Sequence, residues 1–81
     1  MDLSIFKLPP ESAGMMKISL WDDKSVYIEN HTGIVDMKDN CIKIKKEKRI
    51  IAVNGEQLII EALDGCNLRI KGKIFSIEYL T

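Results

Sequence analysis

The chain is predicted to be all-β: a small antiparallel meander that closes as a β-sandwich or an open barrel, preceded by a short N-terminal arm. Two observations carry this reading. From Lys17 onward, apolar and polar residues alternate in short runs rich in β-branched side chains, the period-two pattern of half-buried strands. The runs recur about every eight or nine residues and close on Asp, Asn, Gly or Lys, which suits tight turns between antiparallel neighbours.

Residues 1–16 read as the arm. Met1 to Leu8 is mildly apolar, Pro9-Pro10 interrupts it, and Glu11-Ser12-Ala13 fits one helical turn begun by proline. Ile5, Phe6 and Leu8 either pack back onto the domain, the favoured option because Phe6 would otherwise be bare, or dock on another chain. The β domain occupies residues 17–81. Its strands are expected near 17–21, 25–31, 34–37, 41–46, 49–53, 57–63, 67–71 and 74–80. Turns are expected at Asp22-Asp23-Lys24, Thr32-Gly33, Lys38-Asp39-Asn40, Asn54-Gly55-Glu56, Asp64-Gly65 and Lys71-Gly72-Lys73. Asn54-Gly55 is the strongest hairpin signal, since both residue types tolerate a positive φ.

Period two then assigns the faces. Ile18 and Leu20, Val26 and Ile28, Ile42 and Ile44, Leu58 and Ile60, and Leu68 and Ile70 are the expected core, with charged neighbours pointing outward. Ile50-Ile51, Ile59-Ile60 and the run around Phe75, Ile77 and Tyr79 are apolar on both faces. Such strands are expected to be covered on both sides, by the arm, a second sheet or a partner. A solenoid would need a more regular repeat than the loose echo of Gly55-x-x-Leu58-x-Ile60 in Gly65-x-x-Leu68-x-Ile70.

Composition bounds the function. Eighty-one residues make one domain, near the size where a single core only just outweighs chain entropy. Twelve basic and twelve acidic residues cancel to a formal net charge of zero, so no global field draws the chain to nucleic acid or an anionic surface, and self-association is less opposed. Cys41 and Cys66 are too few and too far apart for a disulfide framework or a zinc site, and are expected to be reduced thiols. With no apolar run of membrane-span length and no secretory-type start, the chain is expected to be cytoplasmic.

Candidate chemistry is sparse. The single histidine, His31, would need a nucleophile such as Ser25 or Cys41 and a carboxylate such as Glu29 to act in catalysis. The chain contains neither a nucleophile elbow nor a glycine-rich phosphate cradle. A structural role is favoured, with Asn30 and His31 bonding the turn backbone and Gly33 supplying its unusual conformation. Lys43, Lys45, Lys46, Lys48 and Arg49 form a basic hairpin, a candidate anion-binding ridge whose plainer role is to blunt a sheet edge. Nucleic acid is disfavoured, because Trp21, Tyr27 and Tyr79 all lie outside that cluster. Trp21 is read as core-edge packing in preference to an exposed binding anchor. Neither metal nor cofactor is expected, and no enzymatic activity.

Ile28-Glu29-Asn30-His31-Thr32-Gly33-Ile34 is preceded by Lys17-Ile18-Ser19. It is followed by Val53-x-Gly55-x-x-Leu58-x-Ile60 and Ile70-x-Gly72-x-Ile74-x-x-Ile77-x-Tyr79. This arrangement resembles the YabP/YqfC family of sporulation proteins, closest to its YqfC branch, over roughly residues 7–80. Two features depart from the family pattern: Met15-Met16 where a proline often stands, and the lysine-rich 43–48 stretch. The resemblance implies a β-sandwich-like fold and a role in endospore formation in the mother cell. It also implies work beside a membrane-associated sporulation partner, and it carries over no catalytic residues. It makes Glu29, Asn30, His31 and Gly33 either a structural turn or a contact surface. The leading expectation is a non-catalytic protein-interaction module with a protein partner or a second copy of itself. The alternative is an anion- or nucleic-acid-binding domain using the basic hairpin.

Overall fold

The structure, a computed structural model, describes residues 14–81. The expectations for Ile5, Phe6, Leu8 and the 11–13 turn lie outside the described residues. Six strands form one sheet: β1 (Lys17–Trp21), β2 (Ser25–Glu29), β3 (Gly33–Met37), β4 (Cys41–Lys46), β5 (Arg49–Asp64) and β6 (Asn67–Tyr79). Every pairing is antiparallel, in the order β1-β2-β6-β5-β4-β3. The predicted all-β antiparallel class is the observed one. The arrangement is a single open sheet, and the β1–β2 hairpin attaches to β6 where a simple meander would attach it to β3.

This sheet must curl, because neither its longest strand nor its shortest crossing link fits a flat one. Sixteen extended residues would make β5 about 50 Å long, yet the longest dimension of the molecule is 42 Å. Strands β2 and β3 stand four places apart in the sheet, about 19 Å if it were flat, yet only residues 30–32 join them. Such a link reaches about 14 Å at most. The curl brings the inner faces of the two halves into one core cluster: Val26, Ile28, Leu68 and Ile70 from one, Ile42, Ile44, Ile51 and Val53 from the other. Each buried side chain of this size contributes about 1.5–3 kcal/mol.

The bend lies where β5 and β6 cross between the halves. Register shifts fall between Asn54 and Gly55 and between Glu56 and Ile59, and Gln57 takes φ +52° and Gly72 φ +145°. A Cβ on Gly55 would collide with the Lys73 carbonyl oxygen, and one on Gly72 would come within 2.7 Å of the Gln57 carbonyl oxygen. Asn54-Gly55 and Lys71-Gly72-Lys73 are therefore not chain reversals. The glycines permit close backbone approach at a bend, and eight expected strands merge into six. Asn54 spans the two strands instead, its amide donating to Ser76 Oγ (3.1 Å) and Glu78 Oε1 (3.0 Å).

Each short hairpin caps this bend in the same way. The Asn40 and Asp39 carbonyls accept from the N–H groups of Gly55 (3.1 Å) and Leu58 (2.8 Å). The Lys24 and Asp23 carbonyls accept from Gly72 (3.1 Å) and Ile74 (2.7 Å). The expected core is observed at Val26, Ile28, Ile42, Ile44, Leu58, Leu68 and Ile70, with Ile18 and Ile60 partly buried. Leu20 is the exception at 58% exposed; it lies on edge strand β1, where no neighbour closes over it among the described residues. Among the described residues no second sheet covers Ile59, Phe75 and Tyr79, which are exposed; the arm lies outside those residues.

Gly55→Ala and Gly72→Ala are each expected to destabilise the domain by about 3 kcal/mol or more, through backbone collision and strain. Gly65→Ala, in a turn with open space around it and φ +49°, should cost only about 1 kcal/mol. Urea midpoints of the three variants check the ranking.

Candidate functional site

The residue string singled out in the sequence and the basic hairpin meet at one end of the molecule. Strand β2 stops at Glu29 because Asn30 adopts φ +66°, a left-handed conformation that Asn tolerates better than most residues. The unusual backbone thus belongs to Asn30 and not to Gly33, whose φ is ordinary and which opens β3 against the Lys45 side chain. The Asn30 amide donates to the Met15 carbonyl (3.1 Å), and its N–H donates to Asn67 Oδ1 (3.2 Å). His31 N–H donates to the Cys66 carbonyl (2.8 Å), and Thr32 N–H to the Lys45 carbonyl (2.8 Å). The Thr32 hydroxyl donates to that same carbonyl (3.2 Å) and accepts from Glu47 N–H (2.9 Å). Three consecutive residues therefore bind β1's lead-in, the β5–β6 turn and the basic hairpin together.

His31 itself is sealed, at 6% exposed, and neither ring nitrogen has a hydrogen-bond partner among the described residues. Burial disfavours the imidazolium and holds the pKa below the ordinary histidine value; the neighbouring Asn67 backbone acts the other way and is outweighed. The His31 ring lies by the Asn67 backbone without a well-formed hydrogen bond among the described residues. The ring fills space, and the His31 main chain does the bonding. Of the two roles open to Glu29, Asn30, His31 and Gly33, this geometry supports the structural one. Among the described residues no Ser, Cys or carboxylate side chain hydrogen-bonds the imidazole.

In the basic hairpin, Lys43 lies opposite Asp36 and stands apart from the rest. Lys46, Lys48 and Arg49 line a cleft of about 730 Å³ with Met15, Met16 and Tyr79. The Arg49 guanidinium sits 5.0 Å from the Tyr79 ring centroid, within cation–π range. The turn is fastened at its tip: Glu47 is held at φ +56°, and the Thr81 hydroxyl donates to the Lys48 carbonyl (2.8 Å).

A second exposed constellation was not legible in the sequence. Pairing sets Ser19, Tyr27 and Arg69 in one row of the outer face and Trp21, Ser25 and Lys71 in the next. Trp21 and Tyr27 meet edge to face, centroids 6.3 Å apart and planes at 87°, and the Arg69 guanidinium lies 5.9 Å from the Tyr27 ring. Trp21 is 58% exposed, so the core-edge reading gives way to the exposed one. Trp21 and Tyr27 come from the adjacent strands β1 and β2. What brings Arg69 beside them is the β2–β6 pairing, which no local pattern announces.

Cys41 and Cys66 are free thiols, and no group of three metal-binding side chains is found among the described residues. The sequence model of the YabP family matches residues 12–81. No curated protein and no solved structure matches the chain.

Because His31 is neutral when folded and free to protonate when unfolded, its contribution to stability is complete above about pH 6.5. That contribution is lost as the pH falls from there toward the lowered folded-state pKa. Urea midpoints measured between pH 7.5 and 5.5 (roughly the histidine range) should fall for the native chain and stay nearly level for His31→Leu.

Proposed function

The chain belongs to the YabP family, and from that premise we propose that it serves spore formation as a non-catalytic protein-interaction module, acting with a membrane-associated partner. The family supports the process. The contact surface is the outer face carrying Trp21, Tyr27 and Arg69, and that constellation is the observation that carries the reading. These are the three residue types most enriched among binding hot spots. They are already held in contact by the edge-to-face and cation–π geometry, so little side-chain freedom is lost when a partner covers them. Nothing among the described residues covers Trp21.

The non-catalytic reading draws support from His31, which is closed to solvent and has no nucleophile or carboxylate partner among the described residues. The YqfC branch remains the closest resemblance by the Ile28 to Ile34 string. No helix among the described residues is long and apolar enough to cross a membrane, and the partner is proposed to supply the membrane association. A cytoplasmic location in the mother cell follows from the same reading.

Affinity purification of the tagged full chain from sporulating cells should recover a membrane-associated protein reproducibly. Trp21→Ala should weaken its binding by about thirty-fold, the loss of one hot spot of about 2 kcal/mol, and Arg69→Ala by a comparable factor, while both variants keep the native circular dichroism spectrum. Undiminished recovery with both variants would remove this face from the proposal.

A further inference from the structure

The basic hairpin offers a second surface whose chemistry differs from that of the aromatic face. Lys46, Lys48 and Arg49 fall within four consecutive residues, relieved only by Glu47, and line one cleft. The ion pairs among the described residues are Lys24–Asp23 (3.9 Å) and Lys38–Asp36 (3.7 Å), so no carboxylate neutralises any of these three cations there. The hairpin that presents them is fastened by the Thr32 and Thr81 hydroxyls. Beside them the same cleft exposes apolar side chains, Met15 at 53% and Tyr79 at 64%.

We infer that this end of the molecule docks on the anionic headgroups of a lipid membrane, with Lys46, Lys48 and Arg49 facing the phosphates and Met15 and Tyr79 seated at the headgroup boundary. Fixed cations flanked by exposed apolar side chains are what a peripheral membrane contact requires, because charge attracts the protein and apolar burial holds it. Single-stranded nucleic acid fits less well. Its binders offer free aromatic faces to successive bases, whereas the Tyr79 ring is already occupied by Arg49 and methionine offers no stacking plane. Cations strung along a hairpin also suit a plane of headgroups better than one small phosphate. Zero net charge does not oppose this, since the surface potential decays within about a Debye length and only the nearest charges count. The inference does not rest on the partner reading above, and either can fail alone.

The test is co-sedimentation of the full chain with vesicles of phosphatidylglycerol and phosphatidylcholine, against vesicles of phosphatidylcholine alone, at low and high salt. Each cation near an anionic leaflet contributes about five-fold. Lys46→Glu/Lys48→Glu should therefore lower partitioning by at least about twenty-five-fold, and the milder Lys46→Gln/Lys48→Gln should act in the same direction. Met15→Ser should weaken binding a few-fold, while Trp21→Ala should leave it unchanged. Circular dichroism confirms that each variant is folded. Equal sedimentation with neutral vesicles, or no loss on removing the lysines, would overturn the inference. So would lysine-dependent binding of an oligo(dT) probe by a chain that ignores the vesicles, or release from anionic vesicles by inorganic phosphate at constant ionic strength.

Discussion

The close approach of two backbones at Gly55 and Gly72 is the constraint on which the rest of this structure depends. At these points β5 and β6 bend together, with the Lys73 and Gln57 carbonyls occupying the space that side chains would need. Without the bend, the sheet could not turn its two inner faces toward a single core. A flat sheet would leave Ile28 and Ile44 in water, and a chain of this size has no second core to compensate. The bend would also strand backbone donors, a cost met by four carbonyls from the turns at 22–24 and 38–40. Those turns therefore act as caps on a distant pair of strands, as well as reversing the chain.

The capping is paired in a way that exposes an internal likeness. Residues 18–29 and 34–45 run in parallel at an offset of 16: Val26 and Ile28 answer to Ile42 and Ile44, and Asp23 and Lys24 answer to Asp39 and Asn40. Each hairpin lays its second strand beside one half of the long β5–β6 pair, β2 on β6 and β4 on β5. The inner faces of the two hairpins are nearly interchangeable, while their outward residues differ. The first carries Trp21 and Tyr27, the second Lys43 and Lys45. A shared core requirement thus coexists with two unlike surfaces, an arrangement suited to contacting two different things.

Asn30, His31 and Thr32 hold these surfaces in relation to one another. The link crosses from one half of the sheet to the other, and its backbone, the Asn30 amide and the Thr32 hydroxyl reach Met15, Cys66, Lys45 and Glu47 on the way. A buried imidazole without hydrogen-bond partners among the described residues is costly, and its presence at this crossing ties the stability of the junction to the neutral form of the ring. The specific part of the family string is therefore a fastening, and the exposed chemistry is carried by residues outside it.

By itself the sequence determined the all-β class, most of the buried side chains and the turns at 22–24, 38–40 and 64–65, because alternation and turn chemistry are local and act within a few residues. It also marked His31 and the basic hairpin as the places to look. Only the tertiary structure decided that Asn54-Gly55 bends a strand and does not reverse it, since a glycine needed for positive φ and one needed for close approach read identically in sequence. The same holds for the meeting of Thr32 with Glu47 and of Tyr27 with Arg69. Those contacts depend on which strands pair across the sheet, and pairing is set by the burial of one common core, to which every strand contributes and which no single segment encodes.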